Sequence, residues 1–92
     1  MAESPDDPEL RYMLGMEFLS VGDDDGAARC FQELIRAAPH YPPAYHQAGR
    51  TLQRLGRVAE AKAVLAQGIP VAQKIGDLHA AGEMSELLQS ME

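Results

Sequence analysis

The stretch "LGMEFLSVGDDDGAARCF", residues 14–31, decides the fold because its pattern occurs again further along the chain. Displaced by 34 residues, it aligns with "AGRTLQRLGRVAEAKAVL", residues 48–65. The displacement superimposes five pairs of identical or similar residues: Gly15 and Gly49, Phe18 and Leu52, Gly22 and Gly56, Ala27 and Ala61, and Phe31 and Leu65. A fixed period of this size predicts a repeat protein in which each unit buries its apolar face on its neighbour.

The apolar residues of each unit recur with the period of an α-helix. The first helices carry the stripes Leu10, Leu14, Phe18 and Val21 in one unit, and Tyr45, Ala48, Leu52 and Leu55 in the other. The second helices carry Ala27, Phe31, Leu34 and Ile35, and Ala61, Val64, Leu65 and Ile69. Residues three or four positions apart share one face of a helix. Each unit is therefore predicted to be a pair of helices that pack through these stripes.

Glycines mark the ends of the first helices and the points of close helix approach. Gly22 and Gly56 stand where the first helices are predicted to end, a position that often adopts the left-handed backbone conformation. Gly15 costs its helix about 0.5–1 kcal/mol relative to alanine. That cost is tolerable if the missing side chain lets the partner helix approach closely, and the same argument applies to Gly49.

The three consecutive aspartates, residues 23–25, suit either a helix N-terminus or a calcium loop. Acidic side chains at a helix N-terminus accept hydrogen bonds from free N–H groups and complement the helix dipole. In a calcium loop Gly26 would be the obligatory glycine, and the first and last ligand positions would then fall on Val21 and Gln32. The spacing therefore argues against calcium and predicts helix capping.

Composition and charge narrow the class of protein. The 92 residues are 46% hydrophobic and 24% charged, which is typical of one globular domain. The formal net charge of -6 argues against nucleic-acid binding, which needs a basic surface. No apolar run approaches the ~20 residues that span a bilayer, so no membrane partner is expected. The acidic N-terminus does not resemble a signal peptide, and a single cysteine excludes an internal disulfide, so we expect a cytoplasmic protein.

The charge is distributed unevenly along the chain. Residues 1–38 carry a net charge of -6, residues 39–75 of +4, and residues 76–92 of -4. Acidic ends around a basic middle can pair with a second copy of the chain. A solvated surface with chance clustering of charges is the other interpretation.

On these residues the chain resembles the tetratricopeptide repeat (TPR) family. The matching positions are Leu14, Gly15, Phe18, Ala27, Phe31 and Pro39 in the first unit, and Tyr45, Ala48, Gly49, Leu52, Ala61 and Leu65 in the second. Arg11, Gly68 and Gln73 depart from the family pattern. The resemblance implies an all-α fold, a short right-handed α-solenoid of antiparallel helix pairs with about five helices. Its expected organisation is an N-terminal tail (1–7), repeat 1 (8–41), repeat 2 (42–75) and a C-terminal capping helix (76–92).

The C-terminal part raises two structural questions. Pro70 lacks an N–H group and crowds the preceding turn, so it must start, kink or end a helix. The tail from Asp77 onward reads as a fifth helix with Asp77 as its cap. The side chains expected to pack are Leu78, Ala81, Met84, Leu87, Leu88 and Met91.

The resemblance implies a non-enzymatic protein–protein interaction module without a cofactor, which binds a peptide or protein segment in a concave groove lined by the first helices. Transferring the family's groove positions selects Tyr12, Met13, Met16 and Leu19 from the first unit, and His46, Gln47, Arg50, Gln53 and Arg54 from the second. We call these nine residues the predicted groove. Its first half is largely apolar and its second half polar and basic, which suits an amphipathic or acidic segment. The alternative role for Met13 and Met16 is to fill gaps between helices.

Two other functions compete with peptide binding. A second copy of the chain could bury the apolar stripe of the first helix, which would make the protein a homodimer. A small hydrolase is least favoured, because it needs a histidine within hydrogen-bond reach of Cys30 or of a serine. The spacing of His40, His46 and His79 does not suggest a metal site.

Overall fold

The computed structural model describes residues 7–92 and contains five α-helices, with no strand in that range. The helices are α1 (Pro8–Ser20), α2 (Asp24–Ala37), α3 (Pro42–Arg54), α4 (Val58–Ile75) and α5 (Leu78–Gln89). The predicted all-α fold of about five helices is confirmed. The predicted N-terminal tail, 1–7, lies outside the described residues except for Asp7.

Each helix packs against the next one along the chain, and α5 also contacts α3. Helices α1 and α2 fall within residues 8–41, and α3 and α4 within residues 42–75. The molecule is therefore a stack of two helical hairpins with a fifth helix against the second hairpin.

The predicted glycine turns are present. Gly22 and Gly56 have φ angles of 82° and 79°, in the left-handed region that favours glycine. Both residues stand two positions beyond the end of a first helix, so each hairpin turns in a few residues. A third such residue, Gly76 with a φ angle of 94°, ends α4.

Aspartate side chains cap three of the helices, as the sequence predicted for residues 23–25 and for Asp77. Asp23 caps α2 and its Oδ1 accepts a hydrogen bond of 2.9 Å from the N–H of Gly26. Asp77 caps α5 through a hydrogen bond of 3.1 Å from the N–H of Ala80. Asp7 does the same for α1. Each bond satisfies one of the N–H groups that a helix start leaves unpaired.

The core consists of three connected groups of buried apolar side chains. In the first, Phe31 packs with Ala27 and Ala48. In the second, Leu52 packs with Ala28 and Ala61. The third joins α5 to the second hairpin and contains Tyr45, Leu65, Ala72, Ala81 and Met84. The stripes predicted for α2, α3 and α4 therefore face inward.

The stripe predicted for α1 is wrong in three of its four positions. Leu10, Leu14 and Val21 are exposed, with 53% of Leu14 and 73% of Val21 accessible, and only Phe18 packs against the core. The reason is that Gly15 turns toward α2, which points these three side chains to the outer side of α1. Leu78 of α5, also expected to pack, is likewise exposed.

Close approach of the helices at Gly15 and Gly49 is confirmed. A Cβ atom built on Gly15 would lie 2.5 Å from Cε1 of Phe31, and one on Gly49 would lie 2.6 Å from Cδ2 of Leu65. Atoms of side chains do not approach one another this closely, so only glycine fits. Gly68, where the sequence departs from the family pattern, has the same role, since a Cβ there would lie 2.4 Å from Cβ of Tyr45.

The question raised by Pro70 is answered by α4, which runs through it from Val58 to Ile75. Pro70 lies inside the helix and its side chain is exposed. The helix therefore lacks one backbone hydrogen bond at this point, because proline has no N–H group to donate.

We predict that Gly15→Ala destabilises the protein by about 1–3 kcal/mol, because the added methyl group would displace the buried ring of Phe31. Gly82→Ala is the matched control, since Gly82 also lies inside a helix but a Cβ there would meet nothing within 4 Å. That variant should gain about 0.5–1 kcal/mol from helix propensity. Urea unfolding followed by circular dichroism measures both. Equal effects of the two substitutions would contradict the close approach.

Candidate functional site

The α1 half of the predicted groove presents exposed methionines. Met13 is 60% exposed and Met16 39% exposed. They do not fill gaps between helices of this chain, which was the alternative interpretation. Both are flexible and polarisable, and such side chains adapt to the shape of an apolar partner.

Tyr12 and Leu19 form a half-buried border between this surface and the core. The ring of Tyr12 lies 5.8 Å from that of Phe31 and 5.9 Å from that of Tyr41, measured between ring centroids. Leu19 packs against the group around Phe31. Because aromatic contacts of this kind hold Tyr12 in place, α1 combines a fixed inner edge with exposed methionines outside it.

In the α3 half, the structure brings α5 alongside the predicted basic residues. Nδ1 of His46 lies 3.7 Å from Oε1 of Glu83, and Nε2 of His79 lies 3.2 Å from the other oxygen of that carboxylate. His46 and Arg50 share a shallow groove with Glu83 and with Glu86, Leu87 and Ser90 of α5. The sequence analysis missed this acidic side, because nothing in the local pattern of α5 shows which face turns toward α3.

Two ion pairs connect the turns of the successive hairpins. Nη2 of Arg54 lies 2.8 Å from Oδ1 of Asp24, and Nη2 of Arg57 lies 3.2 Å from Oδ1 of Asp25. From the sequence, the aspartates were expected to cap a helix only, and Arg54 was expected to bind a ligand. The sequence did contain a signal for these ion pairs. The turn between α1 and α2 is acidic, and the equivalent turn one repeat later, between α3 and α4, is basic.

The remaining residues of the predicted groove lie on α3. Gln47 and Gln53 are half-buried, and Arg50 is exposed. Within residues 7–92 Arg50 forms no ion pair, in contrast to Arg54. Of the predicted basic residues, Arg50 is thus the one whose guanidinium is available to an external carboxylate.

Burial affects the protonation of His46. The pKa of its imidazole is lowered mainly because the surrounding side chains remove water from it. The carboxylate of Glu83 raises the pKa in part, while the nearby Arg50 and His79 lower it further. The folded state therefore favours the neutral imidazole.

The surroundings of Cys30 do not activate its thiol. Its Sγ donates a hydrogen bond of 3.4 Å to the backbone oxygen of Arg11. Burial, followed by the charge of Glu33, raises the pKa of the thiol, and the charge of Arg11 opposes this only partly. A nucleophilic cysteine needs the opposite shift. No hydrogen bond joins a histidine to Cys30 or to a serine in the part of the chain that the structure describes.

The described residues contain no group of three or more histidine, cysteine or acidic side chains that could hold a metal ion. None of the helices within 7–92 has the length and apolarity required to cross a membrane.

Comparison with known proteins agrees with this geometry. A family model for the tetratricopeptide repeat matches residues 18–82, well over half of the chain. The chain belongs to the tetratricopeptide repeat family. TPR proteins are generally non-enzymatic, and their repeats generally bind proteins or peptides.

Individual TPR proteins match over nearly the whole length of the chain. TPR repeat-containing protein PA0015 of Pseudomonas aeruginosa is 30% identical over 92 residues, which are 100% of this chain and 88% of that protein. The solution NMR structure of a TPR domain protein from Salinibacter ruber has a TM-score of 0.91 at 33% identity and covers 98% of this chain and 91% of its own. A crystal structure of a TPR domain protein from the same organism has a TM-score of 0.87 at 32% identity, with 92% and 94% covered.

We predict that protonation of His46 destabilises the fold. Its pKa is lowered on folding, so the unfolded chain binds the proton more readily. The contribution of His46 is present above the unfolded value of 6.5 and is lost as the pH falls below it. Between about pH 7.5 and 5.5 the free energy of unfolding should fall less in His46→Gln than in the unmodified chain.

Urea unfolding at the two pH values measures this difference. His40→Gln is the control, because His40 lies exposed in the turn between α2 and α3. An equal effect of the two histidine substitutions would mean that the burial of His46 is not the cause.

Proposed function

We propose that the chain is a protein–protein interaction module that binds a peptide or protein segment through the α1 half of the predicted groove. The observation that carries this proposal is the exposure of Met13 and Met16 beside the fixed ring of Tyr12. Exposed apolar side chains grouped on one surface are typical of a binding site. The TPR fold of the chain supports the same role.

The chemistry of the partner follows from both halves of the groove. Met13 and Met16 suit an apolar side chain of the partner. Arg50 adds one cationic group that forms no ion pair within residues 7–92, while the acids of α5 lie beside His46. The proposed ligand is therefore an apolar segment with a single acidic residue at one end. A strongly acidic segment is disfavoured, because Glu83 and Glu86 would repel it.

We place this function in the cytoplasm. The chain contains one cysteine, which is free, and a reducing compartment keeps such a thiol unpaired.

Self-association is the second candidate function, and the exposed apolar side chains of α1 favour it. Leu10, Leu14 and Met13 would all lose water if a second copy covered that helix. Light scattering across a dilution series separates a dimer from a monomer. Peptide binding by a monomer would favour the first function.

We predict that Met16→Glu weakens partner binding about tenfold or more, because it places a charge on the apolar half of the groove; that factor corresponds to about 1.4 kcal/mol. Binding peptides would first be selected from a displayed library against the whole chain. Their dissociation constants would then be measured by fluorescence anisotropy for the unmodified chain and the variant. Val58→Glu is the matched control, since Val58 is 40% exposed, as Met16 is at 39%, but lies at the start of α4.

Arg50→Ala tests the basic part of the ligand site. It should weaken those selected peptides that contain an acidic residue and leave fully apolar peptides unchanged. Peptides that bind Met16→Glu as tightly as they bind the unmodified chain would overturn the proposed site.

A further inference from the structure

The outer side of α1 carries an apolar surface that adjoins the predicted groove, since Leu10 and Leu14 line one concavity with Met13 and Met16. It consists of Leu10, Leu14, Phe18 and Val21, and we call it the end face. Three of these side chains are exposed and Phe18 is half-buried. Exposing apolar area costs roughly 25 cal/mol per Å² relative to burying it. Burial of this stripe against another protein element would therefore be favourable.

The second repeat shows what covers such a face. One period later, the equivalent residues of α3 are Ala44, Ala48, Leu52 and Leu55. The first three are fully buried and Leu55 is half-buried. Ala48 packs with Ala27 and Phe31 of α2, and Ala28 of α2 packs with Leu52. An α-helix therefore fills this surface in the second repeat, and an α-helix would fit the end face of the first.

The charge of the end face restricts its occupant. Glu17 lies on the same side of α1, and its equivalent on α3 is Thr51, which is only 1% exposed. A helix that covers α1 as α2 covers α3 would take Glu17 out of water. A buried carboxylate is costly unless a cation pairs with it. Within the described residues Glu17 has no ion pair, so the occupant has to supply the positive charge.

A second copy that packs end to end on this face does not meet this requirement. Packing α1 against α1 of another copy would bring two Glu17 carboxylates into one apolar interface, where like charges repel. The exposed side of α5 presents Leu78, His79, Gly82, Glu86 and Gln89. Leu78 stands alone there as a large apolar side chain, and His79 already faces the carboxylate of Glu83 at 3.2 Å. Neither end of the molecule is thus complementary to the end face.

We propose that the end face binds an amphipathic helix of another protein, with an apolar stripe that packs on Leu10, Leu14 and Val21 and a lysine or arginine that pairs with Glu17. The helix adds to the stack at α1 in the way that α2 lies against α3.

Two synthetic helical peptides test the proposal with the whole chain. Both keep the apolar residues of α2, the helix that fills the equivalent face, and replace its cysteine by alanine. One has lysine and the other glutamate at the remaining positions. Since isolated helices of this length are marginal in water, both peptides are stapled on the side away from the apolar stripe. Fluorescence anisotropy gives their dissociation constants.

The lysine peptide should bind the unmodified chain at least about tenfold more tightly than the glutamate peptide, and Glu17→Lys should reverse this preference. Leu14→Glu should weaken both peptides, and circular dichroism should show that it folds, because Leu14 is exposed. Val58→Glu, an exposed position at the start of α4, should change neither.

Three results would overturn the proposal. The first is a lysine peptide that does not bind, or a preference that Glu17→Lys leaves unchanged. The second is binding that Met16→Glu abolishes and Leu14→Glu does not, which would move the peptide to the predicted groove. The third is a dimer of the unmodified chain that Leu14→Glu splits in light scattering, which would assign the end face to a second copy.

Discussion

The close approach of helices at Gly15 and Gly49 is the constraint on which the rest of the structure depends. At each glycine the backbone of a first helix lies against a large buried side chain of the second helix, Phe31 in one hairpin and Leu65 in the other. This contact fixes the rotation of the first helix about its axis. Once the glycine faces inward, helix geometry determines which side chains point toward the next hairpin and which toward solvent. The exposure of Leu14 and Met16, on either side of Gly15 in the sequence, is a direct consequence.

The two ends of the stack differ, and this difference determines where binding surfaces occur. At the C-terminal end, α5 buries Met84 and Ala81 on the second hairpin and turns Glu86 and Gln89 to solvent. At the N-terminal end, α1 exposes apolar side chains on its outer side. A small domain hides a limited fraction of its surface and has little stability to spare. Apolar side chains left in water therefore carry a cost that a partner can remove.

Ion pairs between charged turns connect the two hairpins, in addition to the helix caps that the aspartates form. The acidic turn before α2 attracts the basic turn before α4 through Asp24 with Arg54 and Asp25 with Arg57. These pairs are largely exposed, so each contributes little free energy. The ion pairs matter more for function, because Arg54 is already paired with an acid of its own chain. His46 likewise has a carboxylate beside it, since α5 places Glu83 there. Arg50 remains as the cation of the groove without a partner inside the described chain, and the apolar half of the groove becomes its dominant surface.

The sequence by itself determined the period, the helical hairpins, the glycine turns and the aspartate caps, because each depends on residues close together in the chain. Gly22 ends a helix through its own φ angle, and Asp23 caps one through a bond to Gly26. The tertiary structure alone decided which apolar residues of α1 are buried. Leu14 stands one period before Ala48, yet of the two only Ala48 is buried, with α2 packed against it. Spacing defines a face of a helix, whereas burial depends on whether another element lies against that face. The same reason explains why the acids of α5 beside His46 were not foreseen, since their position depends on how α5 packs across α3.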